Sequence, residues 1–212
     1  MTGSVVWLAR HGETEWSASG QHTSRTDLPL TAAGEQEAIA LGTMLRSERF
    51  DLVESSPRQR AVMTAELAGF EPAIDNDLAE WDYGELEGLT TDQIRANYPG
   101  WEIWHGPWPG GETDRQVAAR ADRVVQRVRA LPSGAKALLF SHGHLLRVLT
   151  ARWLGQPPTS GRFFMLGTAT VSVLSWEHGG AAVEHWNVPS STSPSPATGA
   201  SPATGASPGS LR

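Results

Sequence analysis

The stretch Val5-Val6-Trp7-Leu8-Ala9-Arg10-His11-Gly12 ("VVWLARHG", residues 5–12) decides the fold. Its first five residues form a short apolar run, which is typical of a buried β-strand. The run then ends abruptly in a guanidinium, an imidazole and a glycine. Because a buried strand does not normally finish on charged or titratable side chains, this ending indicates a site for a negatively charged ligand just past the strand.

Two further apolar runs end in the same way. "DLVESS" at 51–56 is followed by Pro57 and Arg58, and "KALLF" at 136–140 is followed by Ser141 and His142. In open α/β sheets, ligands bind beyond the carboxyl ends of the strands. If the three strands are parallel neighbours, their polar endings converge on one spot.

Strands and helices alternate along the chain. Threonine with glutamine three residues later, at Thr90 and Thr113, predicts capped helix starts, and Ser56-Pro57 predicts another. The two runs on either side of His178–Gly180 predict a hairpin. This order predicts an α/β fold, a three-layer sandwich in which helices cover both faces of a mixed, mostly parallel sheet.

Composition sets the limits of the molecule. The chain has 212 residues, a net charge of -6 and no cysteine, which excludes disulfides and thiolate chemistry. We expect one domain over residues 1–188 and a disordered Pro/Ala/Ser/Thr/Gly tail over 189–212, where "SPATGA" occurs twice. With no targeting signal and no membrane-length apolar run, a cytoplasmic location is expected. The acidic charge argues against nucleic acid as a partner.

The residue types at the strand ends point to phosphoryl chemistry. Arg10 and Arg58 offer forked donors that match phosphate oxygens. Binding alone does not call for His11, since another arginine would bind an anion better. An imidazole is a nucleophile that can take up the phosphoryl group, and neighbouring arginines lower its pKa and keep it unprotonated.

Four segments resemble the histidine phosphatase superfamily, which includes phosphoglycerate mutase-like members, over about residues 4–187. "RHGETEW" resembles the N-terminal signature, "SSPRQRAVMTAE" the second, "FSHGH" the third, and "LAEWDYGELEG" the segment that carries the acid. The resemblance implies that His11 is phosphorylated, that Arg10 and Arg58 bind phosphate, and that His142 is the second pocket histidine. It is greatest to acid phosphatase-like and sugar bisphosphatase-like members.

The resemblance also implies roles for less conspicuous residues. Glu80 matches the proton donor, and its neighbours Trp81 and Tyr83 make that chemistry physically reasonable. Residues that border the substrate by resemblance are Ser17, Thr23, Gly143, His22 and the loop around Thr113. Glu87 is expected to bond a loop rather than react. The implied reaction uses no metal and no cofactor, and the partner is a small phosphorylated substrate.

Several alternatives stay open at this point. A phosphoglycerate mutase is disfavoured by resemblance on two grounds: Ser17 stands where mutases carry asparagine, and the region after the acid segment holds Arg95 as its only arginine and no lysine. A non-catalytic phosphate-binding module would be expected to lack the nucleophile or the acid, and this chain keeps both. Trp101, Trp104 and Trp108 either line the substrate or form the core of a lid. A homodimer is possible.

Overall fold

A computed structural model of the chain describes residues 3–190. Six strands form one sheet in the order β3-β2-β4-β1-β5-β6. The strands are β1 (Val5–Arg10), β2 (Leu52–Ser55), β3 (Ala73–Ile74), β4 (Lys136–Ser141), β5 (Thr170–Glu177) and β6 (Gly180–Pro189). The first four pair in parallel, and β5 and β6 are antiparallel additions on the other side of β1. The predicted mixed, mostly parallel α/β sheet is therefore confirmed.

Register brings the three predicted strand ends to one level. Arg10 pairs with Ser141 across β1 and β4, so His11 and His142 are the next residues on neighbouring strands. Ser55 pairs with Phe140 across β2 and β4. All three strands run in the same direction, so their polar endings lie together at one edge of the sheet, as parallel pairing requires.

Helices cover both faces of the sheet. They are α1 (Glu15–Ser19), α2 (Ala32–Leu45), α3 (Gln59–Leu67), α4 (Thr91–Asn97), α5 (Asp114–Arg129) and α6 (Gly143–Trp153). Leu41 of α2 and Ala65 of α3 share a core cluster with Phe140 on one face. Val124 of α5 and Leu149 of α6 belong to the larger cluster on the other face. This division gives the three expected layers.

Sequence signals located some helix ends correctly and missed others. Both capping boxes, at Thr90 and Thr113, are present. The predicted start of α3 at Ser56-Pro57 is wrong, because the helix begins at Gln59 with Arg58 as its N-cap. The hydroxyl of Ser56 instead contacts the ring of His142, the residue that follows β4. The short elements α1 and β3 were not predicted at all.

The tryptophan-rich segment between α4 and α5 folds as a buried lid. Trp101 and Trp104 are 3% and 6% exposed, and the indole N–H of Trp101 donates to the carbonyl of Pro107. Trp81 packs edge-on against Trp104. Side chains this deeply enclosed present little surface to a ligand, which favours the lid-core interpretation of these indoles.

The C-terminal hairpin agrees with its prediction. Strands β5 and β6 flank His178 and Gly179, whose φ angles of 50° and 84° are those of a tight left-handed turn. β6 ends at Pro189, and the predicted tail lies outside the described residues except for residues 189 and 190. Over residues 3–190 we find no helix with the length and apolar character that crossing a membrane requires.

Candidate active site

The imidazole of His11 is oriented by its own neighbour. Its Nδ1 lies 2.7 Å from the carbonyl oxygen of Gly12. A carbonyl only accepts, so Nδ1 carries the hydrogen and Nε2 carries the lone pair. Burial, followed by the charges of Arg60 and Arg10, lowers the pKa of His11 well below its usual value. The ring is therefore neutral, with Nε2 available as a nucleophile.

His142 lies beside His11 and is held from two sides. The two ring centroids are 5.1 Å apart. Arg60 donates from Nε to Nδ1 of His142 over 3.2 Å, and Nε2 of the same ring lies 2.7 Å from the hydroxyl of Ser56. Since Nδ1 accepts, the hydrogen is on Nε2 and points at Ser56. Burial and then the charge of Arg60 lower the pKa of His142 well below its usual range.

Arg60 is the arginine that completes this group. It is 0% exposed, and its other nitrogens donate to the carbonyls of Thr23, Ser24 and Thr26. These bonds tie α3 to the loop that follows α1. The side chain places a fixed positive charge beside both imidazoles, and it was not singled out from the sequence.

Arg10 reaches the same place from the end of β1. One of its terminal nitrogens donates to the carbonyl of Leu166, whereas its Nε is buried with no partner among residues 3–190. Gly143 makes room for it, since a Cβ at that position would lie 3.3 Å from the guanidinium carbon. Gly143 is also the first residue of α6, whose amino end attracts anions.

Glu80 is anchored on the amino end of α6. It is 7% exposed. Oε2 accepts from the backbone N–H of His144 at 3.0 Å, and Oε1 accepts from those of Leu145 and Trp81, both at 2.8 Å. Three backbone donors fix the orientation of the carboxylate within the site.

One cavity of about 180 Å³ gathers most of these groups. It is lined by Arg10, His11, Ser17, Gly20, Gln21, His22, Thr23, Glu80, Tyr83, Gly143, His144, Arg147 and Leu166. Six of the eight predicted site residues are in this set. The seventh, His142, lies behind the cavity against His11. The cavity wall therefore combines three imidazoles, two guanidinium groups and one carboxylate.

Arg58 is placed differently from the prediction. It lines a neighbouring cavity together with Ser24, Arg25 and Asn76, and Glu80 forms part of the wall of both cavities. Its Nε is buried without a partner among the described residues. A role for Arg58 in phosphate binding stays a prediction.

The side of the cavity near Glu80 is built from aromatic and imidazole rings. The hydroxyl of Tyr83 lies 2.6 Å from Nδ1 of His144, and the ring of His22 is 4.8 Å from that of Tyr83. Burial lowers the pKa of His22 to about 4. His144 points to this side whereas His142 faces His11 and Ser56, so the two histidines do not converge as metal ligands.

Glu87 bonds a loop, as expected. Its carboxylate accepts from the backbone N–H groups of Ser24 and Thr26, at 3.0 and 2.6 Å, and from the hydroxyl of Ser24. Burial acts to raise the pKa of Glu87, but these hydrogen bonds outweigh it, so the pKa lies below its usual value. The same loop carries the carbonyls that hold Arg60.

Known proteins similar to this chain include phosphatases and a probable mutase. Residues 6–189 match the family model of the histidine phosphatase superfamily (branch 1). The chain is 42% identical to an acid phosphatase of Mycobacterium tuberculosis over 81% of this chain and 86% of that protein. It is 35% identical to sedoheptulose 1,7-bisphosphatase of Saccharomyces cerevisiae, over 70% and 66%, and 32% identical to a probable phosphoglycerate mutase of Salmonella choleraesuis, over 86% and 90%. A solved structure of an open reading frame product from Mycobacterium tuberculosis aligns with a TM-score of 0.85 and 38% identity, over 88% and 98%.

The chain belongs to the histidine phosphatase superfamily. Within that family it is a phosphatase, a hydrolase of phosphoric monoesters whose substrate is a small phosphorylated molecule. The expected resemblance to acid phosphatase-like and sugar bisphosphatase-like members is confirmed, and the mutase alternative has less support.

Proposed function

We propose that this phosphatase works through a phosphohistidine formed on Nε2 of His11. The observation that carries the proposal is the 2.7 Å contact from Nδ1 to the Gly12 carbonyl, which leaves the Nε2 lone pair facing the cavity. Burial and two nearby guanidinium groups keep the ring neutral. A neutral imidazole that is fixed in orientation is the reactive form of this nucleophile.

Positive charge for the transferring phosphoryl group comes from Arg10 and Arg60. Charge spreads over the equatorial oxygens in the transition state. Arg10, on the cavity wall, is the donor to these oxygens, and the buried Arg60 contributes its fixed positive charge from behind His142. The Ser56 hydroxyl accepts from His142 and from the Arg58 N–H and is fully buried, so it holds the ring of His142 in place. His142 in turn packs against the ring of the nucleophile.

Glu80 supplies the proton for the leaving group. As Nε2 of His11 bonds to phosphorus, the ester P–O bond breaks and the leaving oxygen takes the carboxyl proton. Water then attacks phosphorus, the P–N bond breaks, and the carboxylate takes a proton from that water. Inorganic phosphate leaves, and Glu80 and His11 return to their starting forms. Both steps use groups of this chain alone.

Ser17, Thr23 and Gly143 border the substrate in this proposal. Support comes from their position on the wall of the cavity that holds His11 and Glu80. Ser17 and Thr14 bond one another reciprocally at the start of α1, which fixes this part of the wall. Arg58, in the adjoining cavity, is assigned a weaker contribution to phosphate binding than Arg60.

Chemical trapping tests the proposed intermediate. Purified enzyme is mixed with ³²P-labelled p-nitrophenyl phosphate, quenched in base within milliseconds, digested and mapped. We expect base-stable, acid-labile label on the peptide that contains His11, and none in His11→Ala. His105→Ala, in the lid, is the matched control and should keep the label. Label on another residue, or turnover by His11→Ala near the wild-type rate, would refute the proposal.

Product analysis separates hydrolysis from mutase activity. The hydrolase releases one inorganic phosphate for each phosphoglycerate consumed, whereas a mutase interconverts the two phosphoglycerates with little release. A homodimer and a cytoplasmic location remain proposals that rest on the sequence. The net charge of -6 supports a further expectation, that nucleic acid is not a partner.

A further inference from the structure

His144 lies next to the group that protonates the leaving oxygen. Its backbone N–H donates to Oε2 of Glu80 over 3.0 Å, and its side chain lines the cavity. The proposed mechanism has no use for this imidazole. Because the backbone of His144 anchors Glu80, the imidazole of His144 lies on the side of the cavity where the leaving group binds. His142 lies on the other side, against the ring of His11.

The tautomer of His144 is set by Tyr83. The phenol oxygen lies 2.6 Å from Nδ1 of His144. Tyr83 is 2% exposed, and its hydroxyl has no other partner among residues 3–190. A buried hydroxyl needs an acceptor for its hydrogen, so Tyr83 donates, Nδ1 accepts, and the remaining ring hydrogen of His144 is on Nε2.

Both members of this pair are neutral. Burial, with Arg147 next in importance, lowers the pKa of His144 well below its usual range. Burial, and then the charge of Glu80, raises the pKa of Tyr83 well above its usual value. The pair therefore presents an uncharged N–H.

That N–H has no protein acceptor among the described residues. The cavity wall around it carries Gln21, His22 and Thr23, all uncharged. Two cations also line this cavity. Arg147 is tied to the carbonyls of Gly161 and Arg162 and lies over the ring of Trp104, and Arg10 reaches the carbonyl of Leu166 on the phosphate side. A wall of neutral donors and acceptors suits the hydroxyl groups of a sugar or polyol better than an apolar group.

We propose that His144, held as the Nε2–H tautomer by Tyr83, donates a hydrogen bond to a hydroxyl oxygen of the leaving group, and that the substrate is a phosphate ester of a polyhydroxylated molecule. The inference rests on the proposed function, since it needs the ester to be cleaved at His11 and Glu80. His144 is then a specificity-determining residue, and Tyr83 is a positioning residue that acts through it.

A pair of simple esters tests the idea. Glycerol 1-phosphate and propyl phosphate share the phosphoryl group and a poorly leaving alkoxide, and differ only in hydroxyl groups. The readout is the ratio of their kcat/KM values. We expect wild type to prefer the glycerol ester. His144→Phe should lower that ratio about three- to tenfold, the effect of one neutral hydrogen bond. His144→Gln, which keeps an N–H donor, should retain more of it, and His185→Phe on β6 should leave the ratio unchanged.

The tautomer is tested independently by ¹⁵N NMR of the histidine rings. Wild type should show the hydrogen of His144 on Nε2, and Tyr83→Phe, which removes only the hydroxyl, should shift the ring towards a mixture of tautomers and lower the ester ratio. A hydrogen on Nδ1 in wild type, or an ester ratio unaltered by His144→Phe, would overturn the inference while leaving the phosphohistidine mechanism intact. If the enzyme hydrolysed neither ester, the result would count against this inference and against the phosphohistidine mechanism.

Discussion

Arg60 donates a hydrogen bond from Nε to Nδ1 of His142 over 3.2 Å, and both side chains are 0% exposed. The bond joins the start of α3 to the turn between β4 and α6. It fixes the tautomer of His142, whose Nε2–H points at the hydroxyl of Ser56 and whose ring packs against that of the nucleophile. A buried guanidinium at this point also lowers the pKa of both imidazoles.

Substitution of each arginine by lysine should distinguish the role of Arg60 from that of Arg58. Lysine keeps the charge but loses the fork and the bond to His142. We expect Arg60→Lys to lower kcat/KM for p-nitrophenyl phosphate by about 100-fold or more, the usual cost of one lost donor in such a site. Arg58→Lys should cost less than about tenfold. Steady-state kinetics on folded protein checks this, and equal losses would contradict our assignment.

Glu80→Gln should discriminate between leaving groups. The amide keeps the size of the carboxyl group but cannot donate its proton to the alkoxide. We expect kcat/KM for glycerol 1-phosphate to fall by about 10² to 10⁴. The loss for p-nitrophenyl phosphate should be much smaller, because p-nitrophenolate leaves without protonation. Equal losses on the two substrates would show that Glu80 does not act as the acid.

Stability should fall on acidification because His22 is buried in its neutral form. Its pKa is about 4 in the folded chain and about 6.5 when unfolded. Between these values the unfolded chain binds the extra proton, so the free energy of unfolding decreases as the pH falls from 6.5 to 4. The contribution of His22 is about 3 kcal/mol over that window. Urea titrations at pH 7, 5.5 and 4 should show a shallower decline for His22→Gln than for wild type; parallel curves would rule out this linkage.

Gly12→Ala should disturb the nucleophile through packing. A Cβ at Gly12 would lie 2.4 Å from the carbonyl oxygen of Gly34 in α2, so the backbone next to His11 must move. We expect a loss of about 1–3 kcal/mol in unfolding free energy, with a drop in kcat. Gly180→Ala is the control, since its nearest contact would be an ordinary 3.4 Å. Thermal melts and kinetics of both variants test this prediction. If Gly12→Ala left stability and kcat unchanged, the contact with Gly34 would have to relax without cost.

The sequence was informative wherever a short-range signal was decisive. Apolar runs with polar endings marked β1, β2 and β4, and parallel pairing then required their ends to meet. The 2-residue strand β3 has no such run, because both of its residues are exposed. The 5-residue helix α1 contains no buried residue and hence no apolar stripe.

The choice between Arg58 and Arg60 shows why site residues are harder to predict. Both lie in "SSPRQRA", two residues apart. Which side each faces depends on where α3 begins, and proline after serine suggested a start at Pro57. The helix begins at Gln59 with Arg58 as its N-cap, and Ser56 instead contacts His142, which lies in the turn after β4. A long-range contact of this kind leaves no trace in the local sequence.

The turn from β4 into α6 has a practical consequence for anyone who wishes to redesign the enzyme. His142 and Gly143 serve the face where phosphate is handled, and His144 stands on the face where the rest of the molecule is released. Residues in this turn therefore sit within one or two positions of both the phosphate and the released group. Gln21 and His22, supplied by a separate loop, are the better positions to randomise when a new substrate is wanted.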